Sequence, residues 1–185
     1  MANFTVNEIK RSFVKLLNIK PYNKISVKDI VEDCGINRNS FYYHFADIPN
    51  LVEAIFVEEN QRLMNEHPTI DSLHEYIDDV AKECLENKQA ILNLFNSSNR
   101  ALYEEYAMRI SEDAVTKYFV QAFKGVKISE KDLNVAILTS KCVLFGICID
   151  WANHDLNEEY IEKLHEAVEL LDGIPNIIIE RIRIN

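Results

Sequence analysis

Apolar positions recur along this chain with the period of a helix almost from end to end. Ile9, Phe13, Leu16 and Leu17 fall at i, i+4, i+7 and i+8, one helical face, and Pro21 ends the run. Ser26 then stands as an N-cap with Asp29 three residues on, a capping-box pattern. Val27, Ile30, Val31 and Cys34 supply the buried stripe of a second, two-turn helix. Gly35 follows where a C-cap needs a left-handed residue, and Asn37 caps a third helix, so the turn between them spans only 35–37. In that third helix Phe41 and Phe45 share one face, while Arg38, Asn39, Tyr42 and Tyr43 fall elsewhere on the cylinder. The spacing therefore predicts two phenylalanines turned in and two tyrosines turned out.

Asp47 caps a fourth helix, with Pro49 tolerated in its first turn, and Leu51, Val52, Ile55, Phe56 and Leu63 carry the periodicity to Pro68. Further helices are predicted over 71–86, 88–95, 100–124, 131–152 and 157–172, separated by the breaker-rich stretches "NSSN", "GVKIS" and "NHDLN". With four glycines and four prolines in 185 residues, the chain lacks the frequent turn signals of a sandwich or barrel. The expected fold is all-α: a small three-helix head over 1–50 and a larger helical body over 51–185. A hydrophobic share of 48% is enough for a sizeable core.

Charge changes the picture once its distribution is considered. The net −10 argues against nucleic acid as a partner. Yet residues 1–50 hold seven Lys and Arg against five Asp and Glu, or +2, and the remaining thirteen against twenty-five leave the body at −12. A mildly basic head suits phosphate, and an acidic body keeps clear of it. The longest uninterrupted apolar run, Cys142 to Ile149, has eight residues, so no membrane span is expected. Four irregularly spaced cysteines and five scattered histidines suggest no disulfide framework, no metal site and a cytoplasmic protein. No nucleophile–base pair or pair of carboxylates in an apolar setting suggests an enzyme.

Helix, short glycine-containing turn, helix is the helix-turn-helix arrangement, whose second helix enters the major groove. The stretch "ISVKDIVEDCGINRNSFYYHFADIPNLVEAI", with the helix before it, resembles the TetR family of bacterial transcriptional regulators over residues 5–57. The segment "FGICIDWANHDL" is similar to the glycine-to-tryptophan stretch of that family's penultimate helix. The resemblance implies that Ser26 contacts phosphate and that Arg38 and Asn39 read bases, with Ser40 near the groove. It places Tyr42, Tyr43 and His44 against backbone phosphates or thymine methyls. Chemically, Arg38 suits guanine O6 and N7, and Asn39 suits adenine. One departure matters: the family's lysine at the opening of the fourth helix is missing from "ADIP", residues 46–49, which removes one phosphate contact.

For the body, the resemblance implies a small-molecule effector and a homodimer on a palindromic operator, with no cofactor. Phe95, Tyr103, Tyr106, Phe119, Phe123, Cys142 and Phe145 are the candidate pocket lining, although an ordinary aromatic core is the better reading for most of them. Phe145, Ile149, Ile161, Leu164, Val168 and Leu171 are the candidate dimerisation residues, although burial within one subunit satisfies the same periodicity. The leading expectation is a ligand-responsive repressor. The alternative is a DNA-binding regulator or nucleoid-associated factor controlled by a protein partner, which a sealed core or an exposed apolar patch would favour.

Overall fold

The local signals of the head act as written. In the computed structural model, which describes residues 2–68, 73–174, 176–178 and 180, α1 runs over Ala2–Ile19 and α2 over Val27–Cys34. The capping box is reciprocal: the Asp29 backbone N–H donates to the Ser26 hydroxyl, and the Ser26 N–H donates to the Asp29 carboxylate at 2.8 Å. Gly35 closes α2 in the left-handed region, at φ +67°, which a side chain would strain. Asn37 caps α3, Arg38–His44, by accepting from the Ser40 N–H at 2.9 Å, and Asp47 accepts from the Asn50 N–H at the start of α4, Ile48–Glu66.

The remaining helices are α5 (Leu73–Glu86), α6 (Lys88–Phe95), α7 (Arg100–Ala122), α8 (Glu130–Asn153) and α9 (Ile161–Asp172). Asp71 and Ser72, expected to open α5, lie outside the described residues. Among the described residues there is no strand. A 3-10 turn over Glu158–Tyr160, capped by Asn157, leads into α9 where one continuous helix was expected. Before it the chain reverses through Asp155 and Leu156, both at positive φ; Leu156 is buried, and the Trp151 indole donates to the Asn157 carbonyl at 2.8 Å.

Two compact units result. The first is Met1–Asn60 with Glu86–Tyr106, and the second is Gln61–Leu85 with Ala107–Asn185. The boundary expected after residue 50 lies in the first turn of α4; the first unit continues to Asn60 and takes in α6 and the start of α7. Its core joins Ile9, Phe13 and Leu17 of α1 to Ile30, Phe41, Leu51 and Val52, then to Ala90, Leu94, Tyr103 and Tyr106. A polar clamp accompanies this packing: the Asn93 side chain donates to the carbonyls of Leu17 and Lys20, at 2.8 and 3.4 Å, where α1 runs out of internal N–H donors.

Candidate nucleic-acid interface

The face of α3 that is buried anchors the face that is not. Phe41 is fully buried and Phe45 nearly so, their ring centroids 5.8 Å apart, and together they hold the helix against α1 and α2. With that face fixed, Tyr42 and Tyr43 stand out from the surface, Tyr43 at 82% exposure. Large aromatic side chains so exposed on a well-anchored helix suit an external contact rather than a core. Tyr42 sits edge-on to Phe41 at 5.5 Å and Tyr43 edge-on to His44 at 4.9 Å, so the rings have preferred orientations before any partner arrives. Arg38 and Asn39 are exposed in the first turn of α3, the turn from which a recognition helix reaches base edges.

Two residues expected at the DNA are already occupied within the head. The Ser26 hydroxyl donates to the Asp29 carboxylate at 2.6 Å, so its one proton is committed to the capping box. The Ser40 hydroxyl donates to the Asn37 side-chain oxygen at 3.2 Å. Asp29 accepts from Ser26 and is paired with Lys20 at 3.0 Å; the Ser26 hydrogen bond and then the lysine hold its carboxyl well below the usual carboxylate range. It remains an anion at neutral pH.

The head's charge is mostly internal. Lys10 pairs with Glu58, Arg11 with Glu8, Lys15 with Asp33, Lys20 with Asp29 and Lys28 with Glu32. Among the described residues, the side chains of Lys24 and Arg38 carry neither a hydrogen bond nor an ion pair. Of the head's seven cations, these two are the ones available to an outside anion without first breaking a pair. Lys24 was missed by sequence reasoning, since nothing in its neighbours shows which lysines will be neutralised.

The structure separates the aromatic residues considered for a pocket. Phe95, Tyr103 and Tyr106 belong to the first unit, where Tyr103 and Tyr106 are part of the head's own core. In the second unit Phe119 and Phe123 are buried and stacked 5.6 Å apart, Phe145 is half-buried and Cys142 is exposed. There a cavity of about 20 Å³ is lined by Ile77, Tyr118, Phe119, Ser140, Leu144 and Val168, among others. That is about the space of one water molecule. Cys84 and Cys148, in the same unit, are thiols pushed up by burial to about 12 and about 11, hence unreactive at neutral pH.

The residues expected at a dimer interface also divide. Leu164 and Val168 are buried inside the subunit, whereas Phe145, Ile149 and Ile161 are half-covered, and the side chain of Leu171 lies outside the described ones. A run of exposed apolar residues lies along α8 instead, Val135, Leu138, Cys142 and Val143, continuing through the half-covered Phe145 and Ile149, while Val120 of α7, Leu170 of α9 and Ile177 are exposed singly. Positions 135, 138, 142, 145 and 149 alternate steps of three and four, the seam spacing of packed helices. By length and composition α8 could cross a membrane, with a mean hydropathy of 1.7 over its most apolar stretch, of which only 22% is buried.

A capped helix-turn-helix with an outward reading face, in a chain whose second unit is helical among the described residues, defines a DNA-binding transcriptional regulator. Comparison with known families agrees: the model for bacterial regulatory proteins of the tetR family matches residues 14–55, and that for a transcriptional regulator C-terminal region matches residues 71–173. The chain belongs to the TetR family, whose members are regulators rather than enzymes. Solved structures share the fold. The dihydroxyacetone kinase operon activator DhaS matches with a TM-score of 0.76 at 19% identity, over 94% of this chain and 97% of its own. A TetR regulator from Rhodococcus sp. RHA1 matches at 0.62 and 14%, over 90% and 96%. The repressor FadR of Thermus thermophilus, solved with lauroyl-CoA, matches at 0.59 and 15%, over 90% and 92%. No curated protein matches the chain.

Proposed function

We propose that this protein is a cytoplasmic transcriptional regulator that binds a two-fold operator as a homodimer. The division of α3 carries the reading: Phe41 and Phe45 are sealed in the head, and Arg38, Asn39, Tyr42 and Tyr43 are presented outside it. Two such helices on a dimer would meet half-sites about one turn of DNA apart, ~34–36 Å. The uncovered seam on α8 supports the dimer, because a helix this apolar needs a partner surface over the face its own chain leaves open.

Two modes of control compete. The family resemblance implies a small-molecule effector, and FadR was solved with such a molecule. At the cavity of about 20 Å³ an effector larger than water would have to open the packing around Ile77, Phe119 and Leu144 first, and the exposed apolar run on α8 offers a protein partner a surface without that cost. The fold does not select the sign of regulation: one structural relative is named an activator and another a repressor.

The test is selection of duplexes from a randomised pool, followed by affinities of Arg38→Ala and Arg38→Lys for the selected site and for random DNA. Arg38→Ala should lose ~1–3 kcal/mol of discrimination per half-site. Arg38→Lys keeps the charge but lacks the bidentate fork, so it should recover affinity for random DNA and not discrimination. Sequence-blind binding that neither substitution alters would defeat the reading. A thermal-shift screen with metabolites separates the two modes of control, because a bound effector stabilises by mass action.

A further inference from the structure

Lys24 stands out once the head's ion pairs are counted. It is exposed and, among the described residues, unpaired, as is Arg38, while the five other cations of residues 1–50 are each held by a carboxylate. Its backbone is held by hydrogen bonds of the turn it closes. It closes a 3-10 turn over Tyr22–Lys24 whose amides bond within the turn, Lys24 N–H to the Pro21 carbonyl and Ile25 N–H to the Tyr22 carbonyl, both at 2.9 Å. The residues around it are pinned. Tyr22 is buried, its ring edge-on to Tyr103 at 5.7 Å and its hydroxyl accepting from the Asn99 side chain at 3.0 Å. The Asn23 side chain accepts from the Ser98 hydroxyl at 3.1 Å, and Ile25 is buried.

Only the Lys24 side chain is left to project, two residues before the N-cap of α2. In a helix-turn-helix the first helix crosses the sugar–phosphate backbone. The start of α2 is one end of that crossing. At the same end the Ser26 hydroxyl is bound to Asp29, and the Lys28 ammonium is paired with Glu32. The Asp29 charge is itself paired with Lys20, so it does not cancel the charge of Lys24.

We propose that Lys24 is a DNA-backbone contact of the head, an ammonium held on a pinned turn to meet a phosphate where α2 crosses the duplex. It supplies a cation that the sequence "ADIP" at 46–49 withholds at the start of α4. It sets affinity rather than sequence choice, because phosphates carry no base information. The assignment rests on the DNA-binding reading above.

The test is the salt dependence of binding by wild type, Lys24→Ala, Lys24→Arg and Lys24→Glu, on a duplex selected by the wild type and on random duplex. Each phosphate contact adds about 0.9 to the slope of log affinity against log salt. In a dimer Lys24→Ala should therefore flatten the slope by about 1.8. Affinity should fall by the same factor on both duplexes, recover in Lys24→Arg, and fall further in Lys24→Glu. Thermal stability should not change, since the side chain has no partner to lose. Specific wild-type binding with a slope that Lys24→Ala leaves unchanged overturns the Lys24 assignment alone. A wild type that selects no duplex overturns the DNA-binding reading and this assignment together.

Discussion

Leu138→Asp on the exposed face of α8 puts the dimer to the test. Leu138 is 55% exposed in the subunit, so about half of its surface is left for a partner to cover. Full burial of a leucine side chain is worth ~1.5–3 kcal/mol, so covering the open half at an interface contributes about 1 kcal/mol. Two-fold symmetry places the change twice, so Leu138→Ala should weaken the dimer by about 2 kcal/mol, roughly thirtyfold in its dissociation constant. Leu138→Asp goes further, because it strips water from two carboxylates and gives them no counter-charge. Sedimentation velocity over a concentration series reads the dissociation constant directly, and circular dichroism checks that helix content is unchanged. Operator affinity should fall with the dimer, since each head alone then meets a single half-site. A Leu138→Asp protein that dimerises as tightly as wild type would refute the reasoning, as would a wild type that stays monomeric at tens of micromolar.

Two further outcomes concern single polar groups. Ser140 is 1% exposed and its hydroxyl has no partner among the described residues, beside a cavity lined otherwise by aliphatic and aromatic side chains. Removing an unsatisfied buried hydroxyl relieves its desolvation, so Ser140→Ala should raise stability to denaturant by about 1 kcal/mol; a loss would mean that a bound water partners the hydroxyl and the account is wrong. Asp29, held below its ordinary value of 3.8, stabilises the folded head above that pH and loses the contribution as pH falls through its lower folded value. The stability gap between wild type and Asp29→Asn should thus be constant near neutrality and close in acid; a gap that widens below pH ~4 contradicts the capping role.

Much of the head is legible in the sequence because its signals act within one helical turn. Ser26 with Asp29, Gly35 and Asn37 are local switches, and each ends or starts a helix where its own chemistry requires. The separation of Phe41 and Phe45 from Tyr42 and Tyr43 follows from helical period alone. By itself the sequence thus determined the all-α class, the helix order and the outward face of α3.

Only tertiary structure decided which groups remain available. Lys10 finds Glu58 forty-eight positions away and Lys15 finds Asp33 eighteen away, and these choices leave Lys24 and Arg38 unpaired. Tyr103 and Tyr106, which helical spacing could assign equally to a pocket, are drawn into the head's core beside Tyr22 and Phe56. Val168 and Leu164 turn inward while Leu138 stays out, though the apolar periodicity treats all three alike. Periodicity records which residues prefer to leave water. It does not record which surface meets them, because burial and ion pairing are settled by contacts between segments far apart in the chain.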